Sequence, residues 1–406
     1  MRWVRQRRPA LRRRPGISAW SIAPGWGPSS RRFGGSVSEP RYATAGATKK
    51  TAPGPSEKRA LIPGRLLTLL AGLLATGAAL GEEPGAEGFH EIIPKQEQAL
   101  ERATAWLARS QQRDGSWRSN PGGGEAYPCA MTGLAGMALL STGNTPSRGK
   151  YGAQVLRAVQ YLHKRQDHTG LICFPGEDRC MYGHGFAMTF LAECYGMEPT
   201  GELAERLKRC LDKAITLTSR AQSNEGGWYY TPNSGADEGS VTITQIQALR
   251  ACKNAGLDVP AKTVDRAIGY IRKAQQPDGG IAYQVGQSGS RPALSAAGAE
   301  LLMMAGLYEA KETRRVLEYV RRHINAESTR NEHDSYTTFY MAQAFHQVGG
   351  KDWAKYFQER RQRYLREQNG DGSWSYTGWG ASPVFDTAVA VIVLSLPYEY
   401  LPIYQK

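Results

Sequence analysis

The chain has 406 residues, 41% hydrophobic and 22% charged, with a formal net charge of +14. That composition excludes a chain disordered throughout and suits a globular protein with a sizeable core. The charge does not indicate a nucleic-acid partner, because residues 1–65 hold 15 Lys/Arg against only Glu39 and Glu57 and the remainder is close to neutral.

Residues 1–60 read as a basic leader of Arg, Pro, Gly and Ser without periodicity, too poor in apolar surface to fold. The segment 61–81 contains the 15-residue apolar run Leu66–Leu80, preceded by Lys58-Arg59 and followed by Gly81-Glu82-Glu83. This is the layout of a secretory signal peptide, and the run is shorter than the roughly 20 residues that span a bilayer. An exported protein is expected, with a membrane anchor, and hence association with a membrane surface, as the alternative. Oligomeric state is left open.

From 90 to 406 one pattern recurs: a helix, a Gln, then a glycine turn with an aromatic or Ile beyond it. It reads RATAWLARSQQRDGSW at 102–117, RAVQYLHKRQDHTGLI at 157–172, KAITLTSRAQSNEGGW at 213–228 and RAIGYIRKAQQPDGGI at 266–281. A degenerate RVLEYVRRHI follows at 315–324, then RYLREQNGDGSW at 363–374. Turn glycines at 115, 170, 226, 279 and 372 give steps of 55, 56 and 53, then 93, which is two shortened periods. There are therefore six copies.

Each turn leads to a second, more apolar helix: 127–142, 181–196, 240–256, 293–309, 335–348 and 384–396. The first helix of each pair is amphipathic with Arg and Lys on one face and belongs outside; the second belongs inside. An open stack of hairpins needs polar caps at both ends. VFDTAVAVIVLSLP, apolar on nearly every side, is not one. The expected fold is all-α, an (α/α)6 toroid of six helical hairpins in which the hairpin of Trp106 meets that of Tyr364.

These repeats, over 102–400, resemble the QW-type repeats of squalene-hopene and oxidosqualene cyclases and of protein prenyltransferase β subunits. MYGHGFAMTFLAECYGM, YTTFYMAQAFHQVGGKDW and the ending SLPYEYLPIYQK are similar to exported bacterial repeat proteins of the prenyltransferase/squalene oxidase type. The resemblance implies a toroid, while the catalytic signatures differ. Squalene-type cyclases protonate an alkene from D-x-D-D-T-A; the matching stretch here is Pro383–Ala388, where of the aspartates only the last, Asp386, survives and Phe385 stands at the proton donor's place. Prenyltransferases hold zinc on a D-x-C pair and a His. Here Thr337 stands at the His position and RPALSAAGAE contains no D-x-C. No cofactor and no metal site is expected, and G-C-G-E-Q, P-loop and G-x-S-x-G sequences are absent.

In this topology the six inner-helix N-termini gather at one mouth, where unpaired N–H groups favour an anion or an electron-rich group. Tyr127, Tyr182, Asp237, Tyr336 and Tyr340 are the candidate ligand-binding residues there, and His184, Asp334 and Asp386 the catalytic candidates. Each has a structural alternative: Asp is a preferred helix N-cap, and a His between Gly183 and Gly185 can be a satisfied core residue. The function expected is binding of an apolar small molecule or isoprenoid lipid in the central cavity. Enzymes of isoprenoid or polysaccharide chemistry are the alternatives, and the latter would need paired carboxylates among Asp237, Asp334 and Asp386. Cys173 and Cys180 bracket the Pro-Gly loop CFPGEDRC and are expected to form a disulfide.

Overall fold

The computed structural model describes residues 92–119, 127–323, 334–376 and 382–405. All belong to one compact unit. A second unit, 22–85, lies outside the described residues, as do the basic leader and the signal-peptide segment.

Twelve α-helices occur among the described residues. In chain order the six hairpins are α1 (Pro94–Ser110) with α2 (Pro128–Ser141), α3 (Gly152–Lys164) with α4 (Cys180–Met197), α5 (Gly201–Arg220) with α6 (Gly239–Asn254), α7 (Ala261–Ala274) with α8 (Pro292–Met304), α9 (Lys311–His323) with α10 (Asp334–Val348), and α11 (Gly350–Glu367) with α12 (Pro383–Ser395). The even-numbered helices fall within two residues of the expected apolar segments, except that α8 stops early, ahead of Gly306 at φ 79°. Every residue of α2 is buried, whereas α5 buries one stripe from Ala204 to Thr218.

The even helices touch in sequence, α2 to α4 to α6 to α8 to α10 to α12, and α12 packs back on α2. The inner ring is closed. Each odd helix leans on the inner helix of the preceding pair, and α1 completes the set by leaning on α12. The six hairpins and their closure stand as expected from the sequence.

A single joint, repeated, holds the ring. Gln111 Nε2 donates to its own turn at Gly115 O and to Gln154 O in the next outer helix. Gln166, Gln222 and Gln275 make the same pair of bonds, and Gln368 bonds Gly372 O and, across the closure, Ala99 O. One amide thus satisfies carbonyls in two hairpins, which a buried polar backbone requires. Trp117, Trp228 and Trp374 are fully buried, and their indole N–H groups donate to Leu107 O, Thr218 O and Tyr364 O of their own hairpins rather than reaching the neighbouring ones.

The end of the ring opposite the turns is covered by the chain's last residues. Leu401, Ile403 and Tyr404 are buried, the short helix Pro402–Tyr404 packs on α6, and His346 Nδ1 bonds Tyr404 O at 3.2 Å.

Candidate functional site

Which side chains face the mouth follows from helix rotation. Beyond each turn, one side chain at an inner-helix start accepts a backbone N–H. Trp117 N donates to Thr132 Oγ1, Trp228 N to Thr242 Oγ1, Ile281 N to Ser295 Oγ and Trp374 N to Thr387 Oγ1. These acceptors point outward. A residue two positions earlier lies about 200° around the helix and points inward. The inward set is Ala130, Tyr182, Ser240, Ala293 and Phe385, and Tyr336 joins it on α10. All but Ala130 keep some exposure in helices that are otherwise buried.

One and two turns deeper the lumen fills. Phe186 on α4 and Phe339 on α10, helices on opposite sides of the ring, meet edge-on with centroids 6.3 Å apart. Tyr340 packs on Phe339 at 4.9 Å and on Tyr336 at 5.0 Å. Below them Gln247 Nε2 donates to Gln343 Oε1 at 2.8 Å. Among the described residues the expected central cavity is therefore filled with aromatic side chains from roughly one helical turn, about 6 Å, below the inner-helix starts, and what remains toward the mouth is a shallow aromatic cup.

One edge of the cup is polar. Tyr182 OH bonds Ser240 Oγ, and Glu238 caps α6 by accepting from Ser240 N at 2.8 Å and Val241 N at 2.6 Å. Ser240 Oγ also donates to Glu238, and Tyr230 OH and Tyr283 OH are 2.6 Å apart beside it. Burial pushes the Glu238 carboxyl up, opposed by the hydrogen bonds from Ser240, Val241 and Tyr283.

Comparison with known proteins agrees with the toroidal fold. No family model matches the sequence. Drimenyl diphosphate synthase of Streptomyces showdoensis is 26% identical over 199 residues, 48% of this chain but only 34% of that protein, so the match spans about a third of the relative. The apo structure of type II terpene cyclase MstE from Scytonema superposes with TM-score 0.51 at 14% identity, over 76% of this chain and all of that one. An MstE variant in complex with geranylgeranyl dihydroxybenzoate gives 0.52 at 15%, over 74% and 97%. An α-1,6-mannanase from a Salegentibacter species gives 0.54 at 9%, over 74% and 98%. The fold is the α/α toroid that these cyclase and mannanase structures share.

The toroid places the candidate residues unequally. Tyr182, Tyr336 and Tyr340 come together in the cup. Tyr127, half-buried, precedes α2 in a left-handed conformation, φ 38°, rare for a bulky residue. Asp237 turns away from the cup: its Oδ2 accepts from Ser223 Oγ at 2.6 Å, and Glu238 beside it takes the polar edge. Asp334 faces outward into an ion pair with Arg363 of α11 at 2.5 Å. Asp386 accepts from Ser335 Oγ at 2.5 Å and from Tyr376 N at 2.9 Å, and burial pushes its carboxyl up to about 6.

His184 stands where Thr132, Thr242 and Thr387 stand in their repeats. Its Nδ1 accepts from Ile172 N at 3.1 Å, and Nε2 lies 3.0 Å from Thr218 Oγ1 of the outer helix α5. Burial pushes its pKa down to about 4, so the ring is neutral at pH 7 and directed away from the cup. The flanking glycines admit protein: a Cβ at Gly185 would meet Thr244 and Gln245 of α6, and one at Gly183 would meet Cys129 of α2. The expected Cys173–Cys180 disulfide is not formed, and all six cysteines are free thiols.

Sequence reasoning missed Glu238, Phe186 and Phe339 as parts of the site. Counting two residues back and two forward from each outward Thr or His reaches Ser240 and Phe186; Glu238 carried no signal beyond its place at a helix start. It also missed Glu193 and Glu300, which are fully buried beneath the cup, each pushed by burial to about 8. Glu193 accepts from the backbone of Ile403, whereas neither Glu300 oxygen has a hydrogen-bond partner among the described residues. Folding thus raises both from the ordinary 4.5. Their contribution to stability is complete below that value and is lost as pH rises through 8. At about 1.4 kcal/mol per pH unit, Glu300→Gln should be the more stable protein by about 2 kcal/mol at pH 8 relative to its difference from wild type at pH 6. Urea unfolding midpoints at the two pH values check this; an unchanged difference would mean that Glu300 keeps its charge through a partner.

Proposed function

We propose that the toroid binds an apolar, isoprenoid-like ligand in the cup at its mouth. One observation carries the reading: Phe186 and Phe339 meet across the lumen beneath the partly exposed Tyr182, Tyr336 and Phe385, so the described residues present aromatic surface at the mouth with a polar edge at Ser240. Apolar walls with a few fixed polar groups are what small-ligand sites require. The geranylgeranyl compound held by MstE supports the ligand class for a ring of this fold. The carboxyl at the cup's edge, Glu238, is held by Ser240 and Val241 as the cap of α6, and Asp386 is engaged sideways by Ser335 and Tyr376. That favours holding a ligand over protonating it. A saccharide reading has less support, because Asp237 and Asp334 each face protein rather than the cup. The run Leu66–Leu80 behind Lys58-Arg59 supports export of the toroid.

The test is titration of the purified chain with a C20 prenyl alcohol, followed by native mass spectrometry and tryptophan fluorescence. A one-to-one complex is expected, with affinity about tenfold or more weaker in Tyr336→Ala, since burying an aromatic ring contributes about 1.5–3 kcal/mol. Binding of mannotriose in place of the alcohol would overturn the reading, and conversion of the alcohol on incubation would make the toroid an enzyme.

A further inference from the structure

An inner-helix start offers unpaired N–H groups to an anion, and at α6 the chain fills that place itself. Glu238 Oε2 accepts from Ser240 N at 2.8 Å and Oε1 from Val241 N at 2.6 Å. Backbone N–H groups only donate, so each carboxyl oxygen faces a fixed donor. Ser240 Oγ adds a third, 2.8 Å from Oε1 and 2.7 Å from Oε2. Burial of Glu238 opposes its charge, and these donors favour it. The start of α6 therefore holds its anion already and has no N–H group at Ser240 or Val241 left for a ligand.

The same bonds fix the direction of the neighbouring protons. A serine hydroxyl has one proton. Ser240 directs it to Glu238, so in the bond with Tyr182 the Ser240 oxygen accepts and the phenol donates. The single proton of Tyr182 is thereby engaged, and its oxygen has a lone pair left. Tyr182 and Ser240 both stand at inward positions and keep some exposure. Beside them Tyr230 OH and Tyr283 OH bond one another at 2.6 Å, which occupies one of their protons as well. Arg179, a cation at this edge, lies over the Tyr230 ring at 5.1 Å and 4.0 Å from Asp178 Oδ2, so its charge is engaged within the protein.

We propose that the polar edge of the cup selects a ligand whose head group donates a hydrogen bond, an alcohol or an amine, and discriminates against an oxyanion head such as a phosphate ester. The proposal rests on the reading of the cup as an isoprenoid site and assigns the end of the molecule which that reading leaves open. A donor head meets the Tyr182 lone pair. A head that only accepts sets lone pair against lone pair and leaves both without a partner. A phosphate would in addition place negative charge beside the buried Glu238 carboxylate, where the low dielectric strengthens the repulsion. Phosphate groups are commonly held by helix N-termini, and at α6 Glu238 occupies that position.

The full chain is titrated with C20 compounds that share one prenyl tail and differ in the head: alcohol, primary amine, methyl ether and monophosphate. In the wild type the alcohol and the amine should bind about tenfold tighter than the ether, and the monophosphate no tighter than the ether. Tyr182→Phe should bring the alcohol-to-ether ratio close to one. Ser240→Ala removes the acceptor that holds the Tyr182 proton, so the phenol can donate into the cup and the ratio should fall in favour of the ether. Equal affinity for all four compounds, a monophosphate that binds tighter than the alcohol, or a ratio that survives Tyr182→Phe would overturn the proposal and leave the isoprenoid site standing. Binding of none of the four would overturn the isoprenoid reading and this assignment with it.

Discussion

Gly372→Ala is expected to destabilise the protein by about 3 kcal/mol or more, combining a left-handed conformation unsuited to alanine with a clash that the backbone must absorb. Gly372 has φ 97°, and a Cβ there would stand 2.6 Å from the carbonyl oxygen of Arg102 in α1. No flexible side chain is available to yield. This is the joint at which the last turn meets the first outer helix, so the substitution strains the closure of the ring itself. The same approach recurs at Gly115, Gly170, Gly226 and Gly279, each against the backbone of the next outer helix. Gly269 is the control, because it lies within α7 and a methyl added there would enter open space, with no neighbouring atom within 4 Å. Gly269→Ala should gain up to about 1 kcal/mol from helix propensity. Urea midpoints for the two variants should move in opposite directions; a Gly372→Ala protein as stable as wild type would mean that the ring does not close through this contact.

The second large effect is expected at Asp334. Its Oδ1 accepts from Arg363 Nη1 at 3.2 Å, its Oδ2 accepts from Arg363 Nη2 at 2.5 Å, and Arg360 Nη1 lies 3.5 Å away. All three side chains are buried. Asp334→Ala would remove the carboxylate that two buried guanidinium groups share, leaving Arg363 with Glu367 alone as a carboxylate partner at 2.9 Å, a change expected to cost about 3 kcal/mol. A double replacement of Asp334 and Arg363 by apolar residues of similar volume should recover part of that loss, because much of the cost is buried positive charge that has lost a carboxylate. A residue of the binding machinery behaves otherwise, losing ligand while keeping or gaining stability. Unfolding and prenyl-alcohol binding measured on Asp334→Ala separate the two: unchanged stability with lost binding would return Asp334 to the site.

The candidate site was legible in part, and the division has a physical cause. Aromatic residues at inner-helix starts were expected to line a mouth; Tyr182 and Tyr336 stand at such starts, and Tyr340 packs against Tyr336 one turn deeper and is fully buried. His184 and Asp334 were singled out for their chemistry, yet each serves packing. His184 replaces the hydroxyl that elsewhere accepts the N–H after the turn. Asp334 ties α10 to α11. Asp237 and Glu238 are neighbours in sequence, and only the entry of the chain into α6 decides which of them reaches the cup.

By itself the sequence determined what is periodic and local. The Gln and glycine of each turn, the amphipathic outer helices and the apolar inner ones declare six hairpins, because helix periodicity and turn chemistry act within a few residues. Closure was also inferable, since an apolar last helix needs a cover. Only the tertiary structure decided the depth of the lumen and the direction of its polar groups. Phe186 and Phe339 lie 153 residues apart in sequence and meet because α4 and α10 stand on opposite sides of one ring. Glu193 and Glu300 are buried because the chain's last residues fold beneath them. Side chains on one helix differ in environment by rotation about its axis, and that rotation is set by which neighbours the helix packs against.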